Sequence, residues 1–447
     1  MFARLGRESA ARYDLERAVF AMVANRAVEP ASKLYCFEQW LREDVRVEGT
    51  EALELQHLYR AMDVVEASID AVEEELFHHL ANLLNLDVEL VFYDTTSLHF
   101  EVDDPDGDKN EGLRQRGYSK NGRGDAPQVV IGLAVTRDGF PIRHWVFPGN
   151  TVDVTTVAKV KEDLRGWRLS RCVFVGDAGM VSKDNLGTLA KGGGRYIVGM
   201  PIRRDDEVGR EVLSRAGRYA EVAPNLRVKE VVVGEGERRR RYVVCHNESE
   251  ATRQKARRDA LIADLEVQLE HIGDPGDEAH TKRICDLVAS RRYGRFLRKT
   301  RGGKPVIDRN ALREAERYDG KFVVTTNDDS LTPGDLALAY KQLMRVEEAW
   351  RTLKTGLELR PVYHHVARRI RAHIAISIWA LLLERVAEHR CEDTWRNIRD
   401  DLRQIKLARL STPDGEIWQV TEPREAAAER LKKLGFEKPG PVHRVGG

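Results

Sequence analysis

The chain has 447 residues, with 73 lysines and arginines against 72 aspartates and glutamates and a formal net charge of +1. That length buries a large core and suggests two or three domains. The charge balance hides segregation, since the first hundred residues lean acidic while residues 291–304 are densely basic, so a polyanion would meet a patch and not a uniform field. Five scattered cysteines (Cys36, Cys172, Cys245, Cys285, Cys391) include no CxxC pair, which argues against a disulfide framework or a zinc site. No run approaches the eighteen or so apolar residues of a membrane helix, and no signal-peptide pattern opens the chain, so a soluble cytoplasmic protein without a membrane partner is expected.

Residues 13–25 and 52–84 carry apolar side chains at three- and four-residue spacing and predict helices, giving a helical segment over 1–86. From Val88 the period changes. Residues 89–93, 128–135, 142–147 and 172–175 are short β-branched or aromatic runs bounded by Gly, Asp and Pro and predict strands, with helices over 154–164 and 185–190. A mixed sheet with helices packed on it follows from that order. Within 196–320 the runs 227–233 and 238–245 flank Gly234-Glu235-Gly236, which suits a hairpin, and charged helices are expected over 248–271 and 277–292. This stretch reads as an insertion, after which KFVVTT at 321–326 resumes the core sheet. The resulting domain plan is a helical 1–86, a core over 87–200 and 321–390 split by an insertion at 201–320, and a helical tail over 391–447.

The next helix has a cap in Thr332, a first-turn proline in Pro333, Asp335 three residues after the cap, and Gly356 where a terminating glycine belongs. Along it Tyr340, Glu347 and Lys354 recur every seven residues, close to two turns, with Arg351 one turn beyond Glu347. Such a stripe is either an ion-paired solvated face or part of a site. Two aspartates favour the second reading. Asp94 ends the apolar run of VFYDTTSL and Asp177 that of VFVGDAGM, at strand ends where α/β folds place ligands. With the glutamate they form a hard oxygen set suited to Mg²⁺ or Mn²⁺.

These motifs, together with residues 117–153 (GYSKNGRGDAPQVVIGLAVTRDGFPIRHWVFPGNTVD) and 340–354 (YKQLMRVEEAWRTLK), resemble the bacterial DDE transposases of the insertion-sequence-four superfamily. RPVYHH at 360–365 and AHIAISIWALLLE at 372–384 resemble its branch with a long insertion before the catalytic glutamate, and the likeness runs from about Tyr13 to Arg385. The resemblance implies an RNase H-like mixed five-stranded sheet with flanking helices, interrupted by an α+β insertion, with helical N- and C-terminal segments. It implies a catalytic and metal-binding triad of Asp94, Asp177 and Glu347 holding two Mg²⁺ or Mn²⁺ ions, with Glu348 as the adjacent competitor. Of the tyrosine, arginine, glutamate and lysine signature, Tyr340, Glu347 and Lys354 match, while Leu343 stands at the arginine position and Arg345 or Arg351 is expected to supply the phosphate contact. Relatives commonly carry further residues before the region matching 13–41 that help grip the transposon end, whereas Met1 lies almost at that match, so the resemblance leaves full transposition competence open.

The implied activity is metal-dependent cleavage and strand transfer of transposon inverted-repeat ends into target DNA by a homodimer associated with the nucleoid. A structure-specific nuclease on the same fold and an inactive DNA-binding regulator are the alternatives. Other residues have two readings each. Lys120, in the loop Tyr118-Ser119-Lys120-Asn121, either touches the DNA backbone or sits in a plain turn. Arg291, Arg292, Arg295 and Arg298, interleaved with Tyr293 and Phe296, either meet phosphates and unstacked bases or form a solvated helix end. Of Arg238 to Arg241 only half can share one target, because strand residues alternate in direction. Asn150 and Asp153 are expected to cap the following helix, or else to support the site; His364, His365 and His373 are expected to pack or contact phosphate and not to bind metal.

Overall fold

A computed structural model describes residues 2–8, 11–84, 88–107, 109–120, 122–167, 169, 172–203, 207–272, 278–300, 304–413 and 415–446. The chain divides into two compact units, residues 1–172 with 342–447, and residues 173–341.

In the first unit, β1 (Leu90–His99), β2 (Gln128–Val135) and β3 (Pro141–Pro148) form an antiparallel meander. β2 matches its expected span and is buried along its whole length, as its unbroken apolar run requires. β1 is a correction. It runs five residues beyond Asp94, which pairs with Leu133 in mid-strand, because Thr95, Thr96 and the residues after them continue the ladder to His99↔Gln128. Helices Leu15–Val28 and Leu55–Glu66 pack against the long helix Ala367–Cys391, where Ala18, Met22, Leu58 and Met62 share a core with Ala372, Ala375 and Trp379. The single helix expected over 52–84 is two, Leu55–Glu66 and Ile69–Leu83, with the Ser68 amide turning back to the Val65 carbonyl at the break. The second of these reaches β3 through a buried pair, His144 Nδ1 to Glu73 Oε1 at 2.5 Å. The tail is also corrected. Besides helices Trp395–Leu402 and Glu425–Leu434 it holds a three-stranded antiparallel sheet of Leu407–Thr412, Gly415–Val420 and Val442–Gly446, formed where apolar and polar residues alternate.

The second unit contains β4 (Val173–Gly176), β5 (Arg195–Met200), β6 (Ala220–Ala223), β7 (Leu226–Val233), β8 (Arg240–His246), β9 (Leu297–Lys299), β10 (Pro305–Ile307) and β11 (Lys321–Thr326). β9 and β10 pair with each other, and the other six form a mixed sheet in the order β4-β5-β11-β8-β7-β6. Only β4 and β5 run parallel; the remaining neighbours are antiparallel. The expected hairpin exists as β7 and β8, but it does not stand apart. β8 adds to β11, Val243 opposite Val324, so inserted strands lengthen the sheet beyond the five strands anticipated. Helices Glu248–Glu270 and Glu278–Ala289 follow, with Arg258 bridging both Asp319 oxygens at 2.7 Å; Asp277, the expected start of the second, lies outside the described residues.

The molecule is therefore an α/β protein with a mixed multi-stranded sheet, flanking helices and additional helical and inserted regions, consistent with an RNase H-like core. No helix among the described residues is long and apolar enough to cross a membrane.

One buried acid gives the first unit a pH dependence. Glu384, 3% exposed on the helix Ala367–Cys391, is pushed up to about 8 by burial and by Glu388, against the opposing Arg385 and Arg399. The folded protein thus keeps a proton that the unfolded chain releases above its ordinary carboxyl value, so this contribution is intact at pH 4 and lost as pH rises toward and through 8. Urea unfolding at low and high pH should show wild type losing roughly 3 kcal/mol more than Glu384→Gln, whose amide mimics the protonated acid. Parallel losses in the two proteins would refute the assignment.

Candidate active site

Strand alternation divides the β1 side chains between two surroundings. Tyr93 and Thr95 point one way: the Tyr93 hydroxyl donates to Thr156 Oγ1 at 3.0 Å, and Thr95 Oγ1 donates to Asp153 Oδ1 at 2.5 Å, so both meet the helix Asp153–Gly166. Gly132 on β2 leaves the room Tyr93 needs, since a Cβ there would lie 2.5 Å from its hydroxyl. Asp94 and Thr96 share the opposite parity. Thr96 Oγ1 accepts from Lys354 Nζ at 2.6 Å, which fixes the end of the glutamate-bearing segment against this strand.

Lys120 reaches in from the loop between β1 and β2. Its ammonium donates to the Thr95 carbonyl at 2.7 Å and to Thr95 Oγ1 at 2.8 Å, and stands 2.9 Å from Asp153 Oδ2 and 3.8 Å from Asp94 Oδ1. Asn121 of the same loop lies outside the described residues. Asp153 begins its helix without a capping hydrogen bond from its side chain, contrary to the expected cap, because Thr95 and Lys120 hold the carboxylate. Burial, then the Arg360 guanidinium, hold the Lys354 ammonium below its usual range, with Asp94 opposing them. Beyond Lys354 lies a cavity of about 530 Å³ whose walls include His99, Arg114, Lys354 and Arg360, with Arg360 against the His99 ring at 3.1 Å.

The helix expected to run unbroken from Pro333 to Gly356 is interrupted. Thr332 caps it as anticipated, accepting from the Asp335 amide at 3.1 Å, but the first helix ends at Lys341 and a second spans Met344–Arg351 before widening into a π-turn over Thr352–Gly356. At the break, three-residue turns from Gln342 to Arg345 and Leu343 to Val346 replace the α-helical bonds as Leu343 enters the interior. No glycine or proline marks it. The single seven-residue stripe of Tyr340, Glu347 and Lys354 is thus corrected to residues on successive segments. Glu347 is exposed on the second helix, while its competitor Glu348 is paired with Arg345 at 3.1 Å, so Arg345 serves an ion pair within its own turn. Arg351 is exposed at the end of that helix.

In the second unit Asp177 directly follows β4, as expected, and is exposed. Its Oδ1 accepts from the Tyr340 hydroxyl at 3.3 Å. The Tyr340 ring stacks on Phe322 of β11, 5.6 Å between centroids, and crosses Gly199 of β5, where a Cβ would lie 2.2 Å from the hydroxyl. Neither Phe322 nor Gly199 was marked by the sequence; a lone glycine inside a strand is the signal that another group approaches closely.

The basic run is more committed than its composition suggests. Phe296 is buried, the Tyr293 hydroxyl donates to Asp264, and Arg292 pairs with Asp264 at 3.2 Å, so the aromatic side chains are engaged within the fold and not presented for base stacking. Arg295 lies over the Phe296 ring at 4.6 Å, and Arg291 and Arg298 are exposed. Of the arginine quartet, Arg241 is buried, bonded to Glu230 and to the Asp328 and Leu331 carbonyls; Arg239 pairs with Asp329 and Arg240 with Glu207.

Among the described residues no cluster of three or more His, Cys, Asp or Glu side chains is close enough to share a metal ion. The donor chemistry beside β1 nonetheless fits a hard cation, because Asp94 of the strand and Asp153 of the helix both present carboxylate oxygens to one ammonium, that of Lys120.

Residues 90–383, more than half of the chain, match the sequence family described as transposase DDE domain. The chain belongs to that family. Among solved structures, a cryo-EM structure of the piggyBac transposase synaptic complex with hairpin DNA is similar at 10% identity, covering 84% of this chain and 67% of that one with a TM-score of 0.38, a likeness too distant to bear on the site. No curated protein matches the chain.

The Tyr340 contact is testable alone. Because the Tyr340 ring stacked on Phe322 must give way, Gly199→Ala should cost about 1–3 kcal/mol in urea unfolding and drive the hydroxyl off Asp177. With ¹³Cζ-labelled tyrosine, the resonance lost in Tyr340→Phe should move in Gly199→Ala; an unmoved line would contradict the packing described.

Proposed function

We propose that the chain is a transposase of the insertion-sequence-four superfamily, in the branch with a long insertion before the catalytic glutamate, and that it cuts transposon inverted-repeat ends and joins them to target DNA. The observation that carries this reading is the charge set beside β1, Asp94 of the strand and Asp153 of the following helix near the Lys120 ammonium with Lys354 anchored on Thr96, inside a transposase DDE domain.

In this reading Asp94, Asp177 and Glu347 are the catalytic carboxylates and hold two Mg²⁺ or Mn²⁺ ions. When bound, such ions supply the Lewis acidity that makes a water or a DNA 3′ hydroxyl nucleophilic at neutral pH and stabilises the departing oxygen. Lys354, its stem buried and its ammonium held on Thr96, is a fixed cation for a phosphate near the scissile bond. Arg351, exposed on the same segment, supplies a forked donor to the backbone, in place of the signature arginine replaced by Leu343. Tyr340 orients Asp177 through its hydroxyl and offers its ring edge to the DNA end. Arg345 is held by Glu348, so its phosphate role requires release of that exposed pair, which costs little. Arg291, Arg292, Arg295 and Arg298 serve as a diffuse backbone-binding surface whose contribution falls with salt. The two ends of one element require two active sites, so the working form is a homodimer on double-stranded DNA.

Supercoiled or end-bearing DNA with Mg²⁺ should be nicked by the wild type, while Asp94→Asn, Asp177→Ala and Glu347→Gln each lose on the order of 10³-fold, the several kcal/mol that metal-assisted chemistry supplies. Glu348→Gln should stay within a few-fold of wild type. Nicking by Asp177→Ala at the wild-type rate would overturn the assignment. Pre-cleaved ends separate joining from hydrolysis, since a nuclease would cut yet leave them unjoined.

A further inference from the structure

The first unit contains a second polar cavity, away from the Asp94 site, in which one ammonium, that of Lys33, is buried without an ion-pair partner among the described residues. Its volume is about 210 Å³, far above the roughly 10–15 Å³ that one water requires. Lys33 and Arg26 line it, each 4% exposed, together with Tyr59, His364, Arg369 and His373. Arg26 is pinned to the Leu357, Glu358 and Ala31 carbonyls, and Arg369 is neutralised by Asp63 at 3.0 Å. The Lys33 ammonium has no hydrogen bond or ion pair among the described residues. The short helix that begins at Lys33 is capped by Ser32, whose hydroxyl accepts from the Tyr35 amide, so that oxygen is turned to the backbone.

A lysine buried to this degree without a partner keeps its charge only if something anionic joins it, and otherwise gives up its proton more readily. The groups facing Lys33 are cationic or neutral: Arg26, His364 and His373 surround it, Cys36 is a thiol pushed up to about 11 by burial, and Glu358 acts on Arg26. We propose that this cavity binds a phosphate-type oxyanion, with Lys33 and Arg26 as its charged floor and His364 on its wall. The same chemistry is offered by a DNA backbone phosphate and by free orthophosphate. The site stands whether or not the chain is a transposase; only its DNA source rests on that reading.

Burial and Arg26 hold Lys33 down at about 7, and burial with Lys33, Arg369, Arg26 and His365 holds His364 at about 4. A bound anion favours the charged forms, so binding takes up protons between pH 7 and 8 and tightens as pH falls. In the empty pocket the sign is opposite: Lys33 is depressed below its unfolded value, so the folded state loses stability as pH falls toward and through 7.

The full chain, melted with orthophosphate against chloride at matched ionic strength, should gain about 3 °C or more in Tm with about 10 mM phosphate. Lys33→Met should show no such gain, and without phosphate it should melt higher than the wild type at pH 6. Should Lys33→Met fold poorly, His364→Gln, at the half-buried wall, should weaken the phosphate effect instead. Calorimetry of wild type with orthophosphate at pH 7.5, in two buffers of different ionisation enthalpy, should report proton uptake. Phosphate that displaces a labelled duplex from wild type, but not from Lys33→Met, identifies the DNA backbone as the source; stabilisation without displacement identifies a free anion. No phosphate effect on wild type, an equal effect on both proteins, or binding without proton uptake overturns the proposal.

Discussion

A single ammonium joins three segments that the chain keeps far apart. Lys120 comes from the loop after β1, Asp94 from β1 itself, and Asp153 from the start of a helix beyond β3, and each is oriented by what the others do. The two carboxylates near Lys120 leave a net negative charge, which Lys354 on Thr96 brings back toward balance. The two lysines are not equivalent. Lys354 is half-buried and its partner is a buried threonine, whereas Lys120 is one-third exposed on a flexible stem and is held by oxygens at a strand surface. A further cation approaching Asp94 therefore meets Lys120 as its direct competitor, because that ammonium lies 3.8 Å from Asp94 Oδ1 on a flexible stem, whereas Lys354 is held on Thr96.

The second unit shows how an inserted stretch is made rigid enough to position one side chain. Arg241, buried on β8, bonds Glu230 on β7 and the Asp328 and Leu331 carbonyls after β11, so one guanidinium fastens the hairpin to the turn that leads into the Tyr340 helix. That turn is tied again through Asp328, which accepts from Arg195 at 3.0 Å, and through Asn327, which accepts from the Tyr196 amide at 3.0 Å. Tyr340 then meets Phe322 and Gly199 on two strands that pair with each other, which leaves its hydroxyl little choice but Asp177.

Much of this was legible in the sequence where the physics is local. β2 and β11 fall where unbroken β-branched runs place them, the Thr332 cap is where its spacing to Asp335 requires, and Asp177 ends its strand. Legibility fails where tertiary contacts decide. β1 continues past Asp94 because β2 offers it partners, and the helix after Pro333 breaks at Gln342 because burial of Leu343 outweighs helical continuity in a stretch with no breaker. Asp153 looked like a cap because an acid before a helix usually is one, yet a threonine and a lysine distant in sequence claimed it. The basic run around Tyr293 and Phe296 has the composition of a nucleic-acid surface, but composition does not say which face an aromatic residue presents, and Phe296 packs inward.

The histidines of RPVYHH carry the last step. Tyr363, His364 and His365 line both the cavity beside Lys354 and the one that contains Lys33, so one stretch of backbone is a wall between two cationic chambers. Its far side is held by His373, whose ring meets the Leu359 carbonyl at 3.2 Å and tilts against His364 with 5.6 Å between centroids. Both imidazoles are driven toward the neutral form by burial and by the neighbouring cations, so the wall adds no charge of its own while the chambers stand open to water. An anion entering the Lys33 chamber changes that, because the field acting on His364 is set by Lys33, Arg369 and Arg26 together.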